Sequence, residues 1–277
     1  MPHDIDYLLK RIQSIKRTPA KQMQMEARLK KRVTTHFKGL ISSAAGIIQD
    51  LDYIPGPNDP TTAEIRDLFR TNTGPYIAIV ARANAEAYVM GQRRLKVRGR
   101  ARKESKTVPP GVPPEYLPYL IYFEGLVEPS IALMLLDQCF EASAGTMDRV
   151  TGDVMANLAV SYTEGVGNYQ ASVNLFEVFQ GIQMYEAERI ARTEINSAQN
   201  YGAFLQLESA GVSRVQWITA LDSRVRGLDM KDSADHISMH GETVKLGEEF
   251  SNGLQYPGDR AGPIEEWINC RCQLRDA

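Results

Sequence analysis

The chain has 277 residues, of which 43% are apolar and 24% are charged, so it can bury one or two cores and is not expected to be disordered. Its longest run without a charged residue has 13 positions, 195–207, whereas a membrane-spanning helix needs about 20. The first residues lack an apolar signal segment, which predicts a protein made in the cytoplasm with no membrane anchor. Three cysteines are too few for a disulfide framework and favour metal binding or core packing.

Basic residues are concentrated in two segments, although the net charge of the whole chain is only −2. Positions 7–38 hold ten Lys or Arg against the single acid Glu26, and positions 93–106 hold eight against Glu104. These segments carry +9 and +7, so the remainder carries −18. They are expected to face DNA or an acidic protein surface, with solvated helix faces as the alternative. The residues expected to make these contacts are Lys10, Arg11, Lys16, Arg17, Lys30, Lys31, Arg32, Arg93, Arg94, Lys96, Arg98, Arg100, Arg102 and Lys103.

The first hundred residues predict three helices. Apolar residues at three- and four-residue spacing indicate a helix over Ile5–Gln49. After a proline-rich loop, Asp59 is the expected N-cap and Pro60 the first residue of a helix that continues through Phe69. A third helix is expected over Tyr76–Leu95, leading into the second basic segment. Prolines follow that segment and no aromatic residue lies within it, which favours an exposed arm that contacts phosphates without base stacking.

The middle of the chain also predicts helices. The apolar segment Tyr116–Phe140 is expected to kink at Pro129, and a separate helix is expected over Asp148–Tyr162. The clearest helix is Ile182–Ser209, because small and apolar residues form one stripe along it and Gly211 stands where a C-terminal cap belongs. The small residues of this stripe predict a closely packed neighbour.

Beyond residue 211 the pattern changes to short alternating segments separated by glycine and proline, which is typical of strands and turns. The expected fold class is therefore α+β, with a mainly helical N-terminal body and a small α+β C-terminal module. We expect a basic helical region over 1–110, a helical body over 111–210 and the module over 211–277. Trp217 and Trp267 are interpreted as core anchors of that module.

Two cysteines and two histidines in the module suggest a zinc site. Cys270 and Cys272 share one side of an extended segment, and His236 and His240 share one face if their segment is helical. Two imidazoles and two thiolates would complete a tetrahedral site, so one hypothesis is a structural zinc that links the segments of a small core. The alternative is that the cysteines only pack in the core, with His236 hydrogen-bonded to backbone or to Asp222.

Three motifs in the last third of the chain are similar to those of one protein family. They are IARTE at 190–194 with Asn200, WITALDSRVR at 217–226 followed by HISMHG at 236–241, and YPGD at 256–259 followed by INCRC at 268–272. In their order and spacing they resemble the phage head morphogenesis family, the Mu F-like minor head proteins. Residues 227–235 depart from that pattern as an insertion. The motif residues interpreted as structural are Arg192, Glu194, Asn200, Trp217, Asp222, Arg224, Arg226 and Asn269.

This resemblance implies a non-enzymatic minor capsid protein, located inside the virion head near the portal. It implies binding to the portal protein oligomer, with the scaffold or major capsid protein as further candidate partners, and a role in packaging or delivering DNA. The basic segments independently suit non-specific, phosphate-dominated contact with double-stranded DNA.

Two other functions remain open from the sequence. One is a metal-dependent enzyme or toxin delivered with the genome, with His236, His240 and Cys270 around the metal and Glu242 as its acid or base. The glutamate next to the first histidine that a zincin requires is missing, because Ile237 stands there. The other is a plain DNA-binding protein that needs no portal.

Overall fold

The computed structural model describes residues 20–94, 111–220, 225–229 and 232–277. The α-helices are α1 (Ala20–Gln49), α2 (Pro60–Thr71), α3 (Thr73–Arg94), α4 (Leu117–Leu120), α5 (Pro129–Thr163), α6 (Asn168–Gly181), α7 (Ala187–Ser209) and α8 (Ile264–Trp267). The strands are β1 (Arg214–Ile218), β2 (Thr243–Lys245) and β3 (Gln273–Asp276). A mainly helical body with a small α+β module at its C-terminal end is therefore the observed fold class.

Helix α2 begins where the sequence predicts, whereas α3 begins at Thr73, three residues before its predicted start at Tyr76. The Asp59 carboxylate accepts a hydrogen bond from the Thr61 N–H at 2.8 Å, and Pro60 is the first residue of α2. The predicted helix over 5–49 is observed from Ala20 onward, and its residues 5–19 lie outside the described part. In α1 the buried residues recur every three or four positions, from Met25 to Ile48, so one face of the helix is in the core.

Helix α5 corrects two predictions. Pro129 does not kink a helix but starts one, because the first turn of a helix needs no backbone N–H from its residues. The separate helix predicted from Asp148 is the second half of the same helix, which runs unbroken to Thr163. Gly145 and Gly152 lie within it without ending it.

The long helix predicted over Ile182–Ser209 is observed as α7 preceded by one π-helical turn, Ile182–Glu186, which joins it to α6. Its C-terminal end is as expected. Gly211 has a φ of +72°, in the left-handed region where glycine carries no steric penalty, and the chain turns there towards β1.

The module contains one antiparallel sheet with strand order β2-β1-β3. Val215 of β1 lies opposite Val244 of β2, and Trp217 lies opposite Leu274 of β3. Trp217 is fully buried at the centre of this sheet, as predicted for a core anchor, whereas Trp267 of α8 is half-buried at the edge of the same core.

Buried apolar side chains form two clusters. The larger joins α1, α2, α3, α5, α6 and the first half of α7, and the smaller joins the second half of α7 to the sheet and the loops before it. Helix α7 therefore contributes to both cores. Among the described residues, no helix is long and apolar enough to cross a membrane.

Candidate metal centre

His236, Cys270 and Cys272 meet in the buried interior of the module. The His236 Nδ1 atom lies 3.7 Å from Cys270 Sγ and 3.6 Å from Cys272 Sγ, and the three ligand atoms all lie within 4.8 Å of one another. Tetrahedral zinc with Zn–S near 2.3 Å and Zn–N near 2.0 Å places its sulfur and nitrogen ligands roughly 3.5 Å apart. The observed spacing fits that geometry, so these residues could bind a metal ion. The two cysteines face one side of the chain, as the sequence predicts.

The local backbone explains how residues two apart present both thiols to one point. Asn269, just before them, has a φ of +56°, a left-handed conformation that asparagine tolerates better than most residues. This residue turns the chain from α8 into residues 270–272, called here the cysteine segment. The Cys272 N–H donates a hydrogen bond to Cys270 Sγ at 3.4 Å, and such a contact favours the thiolate form that binds metals.

Glu266, which no motif in the sequence singles out, completes the site from the other side of the imidazole. Its carboxylate lies 3.0 Å from His236 Nε2, and it also accepts a hydrogen bond from Asn252 Nδ2 at 2.9 Å. A histidine that binds a metal through one nitrogen usually donates the other N–H to a carboxylate or a carbonyl. Glu266 therefore orients His236 with Nδ1 towards the sulfur atoms. The sequence offers no local signal for this pair, since 30 positions separate the two residues.

The electrostatics of the cluster favour one thiolate. Burial alone raises the pKa of Cys270, but hydrogen bonds from Cys272 and His236 and the charge of His236 together hold that pKa well below its ordinary value. Burial and the neighbouring Cys270 raise the pKa of Cys272 well above its ordinary value. Burial alone lowers the pKa of His236, yet its contacts with Cys270 and Glu266 outweigh this and raise it. The centre thus presents an anionic sulfur beside an imidazole that Glu266 holds in place.

His240 and Glu242 do not join this cluster. Residues 236–241 form turns, not a helix, so the two histidines do not share a face as their four-residue spacing suggested. His240 Nδ1 instead contacts the N–H and hydroxyl of Thr219, at 3.3 and 3.1 Å. Glu242 accepts two hydrogen bonds from Ser251, from its N–H and its hydroxyl. The predicted set of four protein ligands is therefore corrected to three among the described residues.

The motif residues of α7 hold the module against the helical body. Arg192 donates to the Asn269 side chain at 2.6 Å, and the Asn269 N–H donates to the Thr193 hydroxyl at 2.8 Å. Asn200 donates to the Cys272 carbonyl at 2.9 Å and accepts from the Leu274 N–H at 3.0 Å. Arg192, Thr193 and Asn200 are buried, and their hydrogen bonds to residues 269–274 satisfy polar groups that would otherwise be unpaired there.

Glu194 and Arg260 form a buried ion pair in the same contact. The Arg260 guanidinium donates to Glu194 Oε1, and Asn84 of α3 donates to Glu194 Oε2 at 2.9 Å. Arg192 and Glu194 therefore do not pair with each other, and each connects α7 to another part of the chain. Arg226 likewise donates to the Ile268 carbonyl. Asp222 and Arg224 lie outside the described residues.

The basic residues expected to contact DNA are not all available for it. Arg94 is engaged inside the protein, where it donates to the Leu274 carbonyl at 2.8 Å and to Asn200 Oδ1 at 3.3 Å, which argues against the contact predicted for it. Lys30 pairs with Glu188 at 3.1 Å. Arg93 is exposed at the end of α3. Outside the described residues lie Lys10, Arg11, Lys16, Arg17, Lys96, Arg98, Arg100, Arg102 and Lys103.

Comparison with protein-family models, with curated proteins and with solved structures gives no match to this chain.

Proposed function

We propose that the chain is a minor head protein of a tailed phage or prophage-like particle, which binds the portal oligomer and contacts double-stranded DNA to support head assembly, packaging or delivery. One observation carries the proposal: the three motifs that resemble the Mu F-like proteins lie together. Arg192 of the first motif contacts Asn269 of the third, 77 positions away, and Arg226 at the end of the second contacts Ile268.

The roles of these residues favour a structural protein over the enzyme alternative. Arg192, Asn200 and Asn269 are used to join α7 to the cysteine segment. The cavity beside the three candidate ligands has room for about one water molecule, which is too little for a substrate. The acid assigned to the enzyme alternative, Glu242, is bound to Ser251.

Co-sedimentation with the cognate portal oligomer, with and without DNA over a series of salt concentrations, tests this function. We expect the protein to sediment with the portal and to remain bound at moderate salt. Binding to DNA without any binding to the portal would overturn the proposal in favour of a plain DNA-binding protein.

We further propose that His236, Cys270 and Cys272 bind a structural Zn²⁺, with a water molecule in the fourth position of the tetrahedron, for which the cavity beside them has room. The spacing of their donor atoms, the mixed nitrogen and sulfur set and the carboxylate behind the histidine all suit zinc. When bound, zinc joins the turn that holds His236 to the segment before β3. The module has a small core, so such a link stabilises it more than it would a large domain.

Metal analysis of the purified protein by mass spectrometry tests the zinc site. We expect about one zinc per chain in the wild type and in His240→Ala, and little zinc in Cys270→Ser. Cys139→Ala is the matched cysteine control, because Cys139 is buried in the larger core, away from the cluster. A wild-type protein that is free of metal after growth with added zinc, and that gains no thermal stability when zinc is supplied, would contradict the proposal.

A further inference from the structure

A groove between α1 and α3 is lined by basic and hydrogen-bonding side chains. It has a volume of about 480 Å³. Arg28, Lys31, Arg32 and Thr35 lie along one stripe of α1 at three- and four-residue spacing, and Ile79 of α3 forms part of the opposite wall. No acidic residue is among the described residues that line it.

The positive charge of this groove is only partly balanced. Glu86 of α3 pairs with Arg28 at 3.7 Å and with Arg82 at 3.4 Å, so one carboxylate serves two guanidinium groups. Lys31 and Arg32 form no ion pair with any residue of the described ranges. The groove therefore keeps an excess of positive charge, whereas Lys30, on another side of α1, is paired with Glu188.

His36 forms part of the wall of the groove. Its ring stacks on Tyr76, with centroids 5.5 Å apart, and its buried Nε2 atom has no hydrogen-bond partner within the described part of the chain. Burial lowers the pKa of His36, which favours the neutral imidazole, so the positive charge of the groove comes from α1's Arg and Lys side chains. Because the Nε2 atom of His36 is buried, the ligand-binding groups of the groove are the exposed side chains of α1.

We propose that this groove binds the phosphate groups of a double-stranded DNA backbone. The guanidinium groups of Arg28 and Arg32, the ammonium of Lys31 and the hydroxyl of Thr35 are all groups that bind phosphate oxygens. The stripe from Arg28 to Thr35 is about 10 Å long, which is long enough to reach neighbouring phosphates of one DNA strand. The groove would be one place where the protein contacts DNA, and naming DNA as the polyanion rests on the proposed function.

The test compares two variants that remove the same charge. Lys31→Gln/Arg32→Gln removes the unpaired cations of the groove, and Arg66→Gln/Lys245→Gln removes two exposed cations elsewhere. Fluorescence anisotropy measures the affinity of each for a labelled duplex over a series of salt concentrations. We expect the slope of log K against log salt to become shallower by about 2 in the groove variant only, because each lost phosphate contact accounts for about 0.9. Equal slopes in the two variants would overturn the proposal.

Two further measurements distinguish DNA binding in the groove from binding of a small anion or of the portal. In the first, inorganic phosphate is added at constant ionic strength and its binding to the wild type and to the groove variant is measured. If phosphate binds only the wild type while both proteins bind the duplex with equal affinity, the groove is a small-anion site and the proposal fails. Portal co-sedimentation of the groove variant is expected to match that of the wild type. Loss of portal binding with unchanged DNA binding would make the groove a portal contact and overturn the inference. If the wild-type protein does not bind the portal, the proposed function is refuted. The salt dependence of DNA affinity in the groove variant still tests whether the groove binds DNA.

Discussion

Glu266 acts on the candidate metal only through His236. Its carboxylate holds Nε2 of a ring that is 2% exposed, while its own side chain is 15% exposed. We expect Glu266→Gln to weaken zinc affinity by about 10- to 100-fold, because an amide holds the imidazole less firmly and makes it a poorer donor to the metal. Competition with a fluorescent chelator measures this affinity. Glu265 directly precedes Glu266 in α8 and is exposed, so Glu265→Gln removes the same charge and is expected to leave the zinc affinity unchanged. Equal affinities in both variants and the wild type would show that Glu266 does not orient the ligand.

The sequence revealed only part of this centre. Cys270 and Cys272 were predictable because alternate residues of an extended chain share a face. His240 was predicted wrongly, since four-residue spacing brings side chains together only in a helix and this segment consists of turns. Glu266 and Arg260 could not be predicted, because each meets its partner through the packing of distant segments.

At the scale of elements, α3 and α7 cross unusually closely. A Cβ atom added at Gly202 would lie 2.2 Å from the Tyr88 carbonyl oxygen, and one added at Gly91 would lie 1.9 Å from the Gln199 carbonyl oxygen. Both clashes are with backbone, so the helices would have to move apart. We expect Gly202→Ala to lower the free energy of unfolding by about 1–3 kcal/mol or more, measured by urea denaturation. Gly145→Ala, exposed in α5 with open space around it, should instead raise it by about 0.5–1 kcal/mol. Destabilisation by both substitutions alike would contradict the close crossing.

The small-residue stripe of α7 was enough to predict a close neighbour, but not which helix it would be. Helix boundaries followed the sequence where a cap marks them, as at Asp59 and Gly211. They failed where proline was taken for a kink, at Pro129, and where α6 continues into α7 through a π-helical turn. A single π-helical turn contains too few residues to establish a different apolar spacing, so the pattern alone does not reveal it.

For the whole molecule, α7 matters because it supplies side chains to both cores and carries the polar contacts between them. Glu194 illustrates this role: it lies in α7, accepts from Asn84 of the helical body and from Arg260 of the module, and is almost fully buried. The two cores are therefore expected to unfold as one unit as long as this connection is intact. The only tryptophans, Trp217 and Trp267, both belong to the module, so their fluorescence reports on it separately.

Glu194→Gln tests that connection. Replacing one partner of a buried ion pair leaves the Arg260 charge uncompensated, and we expect the free energy of unfolding to fall by about 3–5 kcal/mol. Urea unfolding is followed by tryptophan fluorescence for the module and by far-ultraviolet circular dichroism for the helices. The two transitions should coincide in the wild type, whereas in Glu194→Gln the fluorescence transition should come at lower urea. Asp67→Asn breaks the exposed pair with Arg70 and should cost about 1 kcal/mol or less. Similar small losses in both variants, with coincident transitions, would show that the Glu194 pair does not couple the two cores.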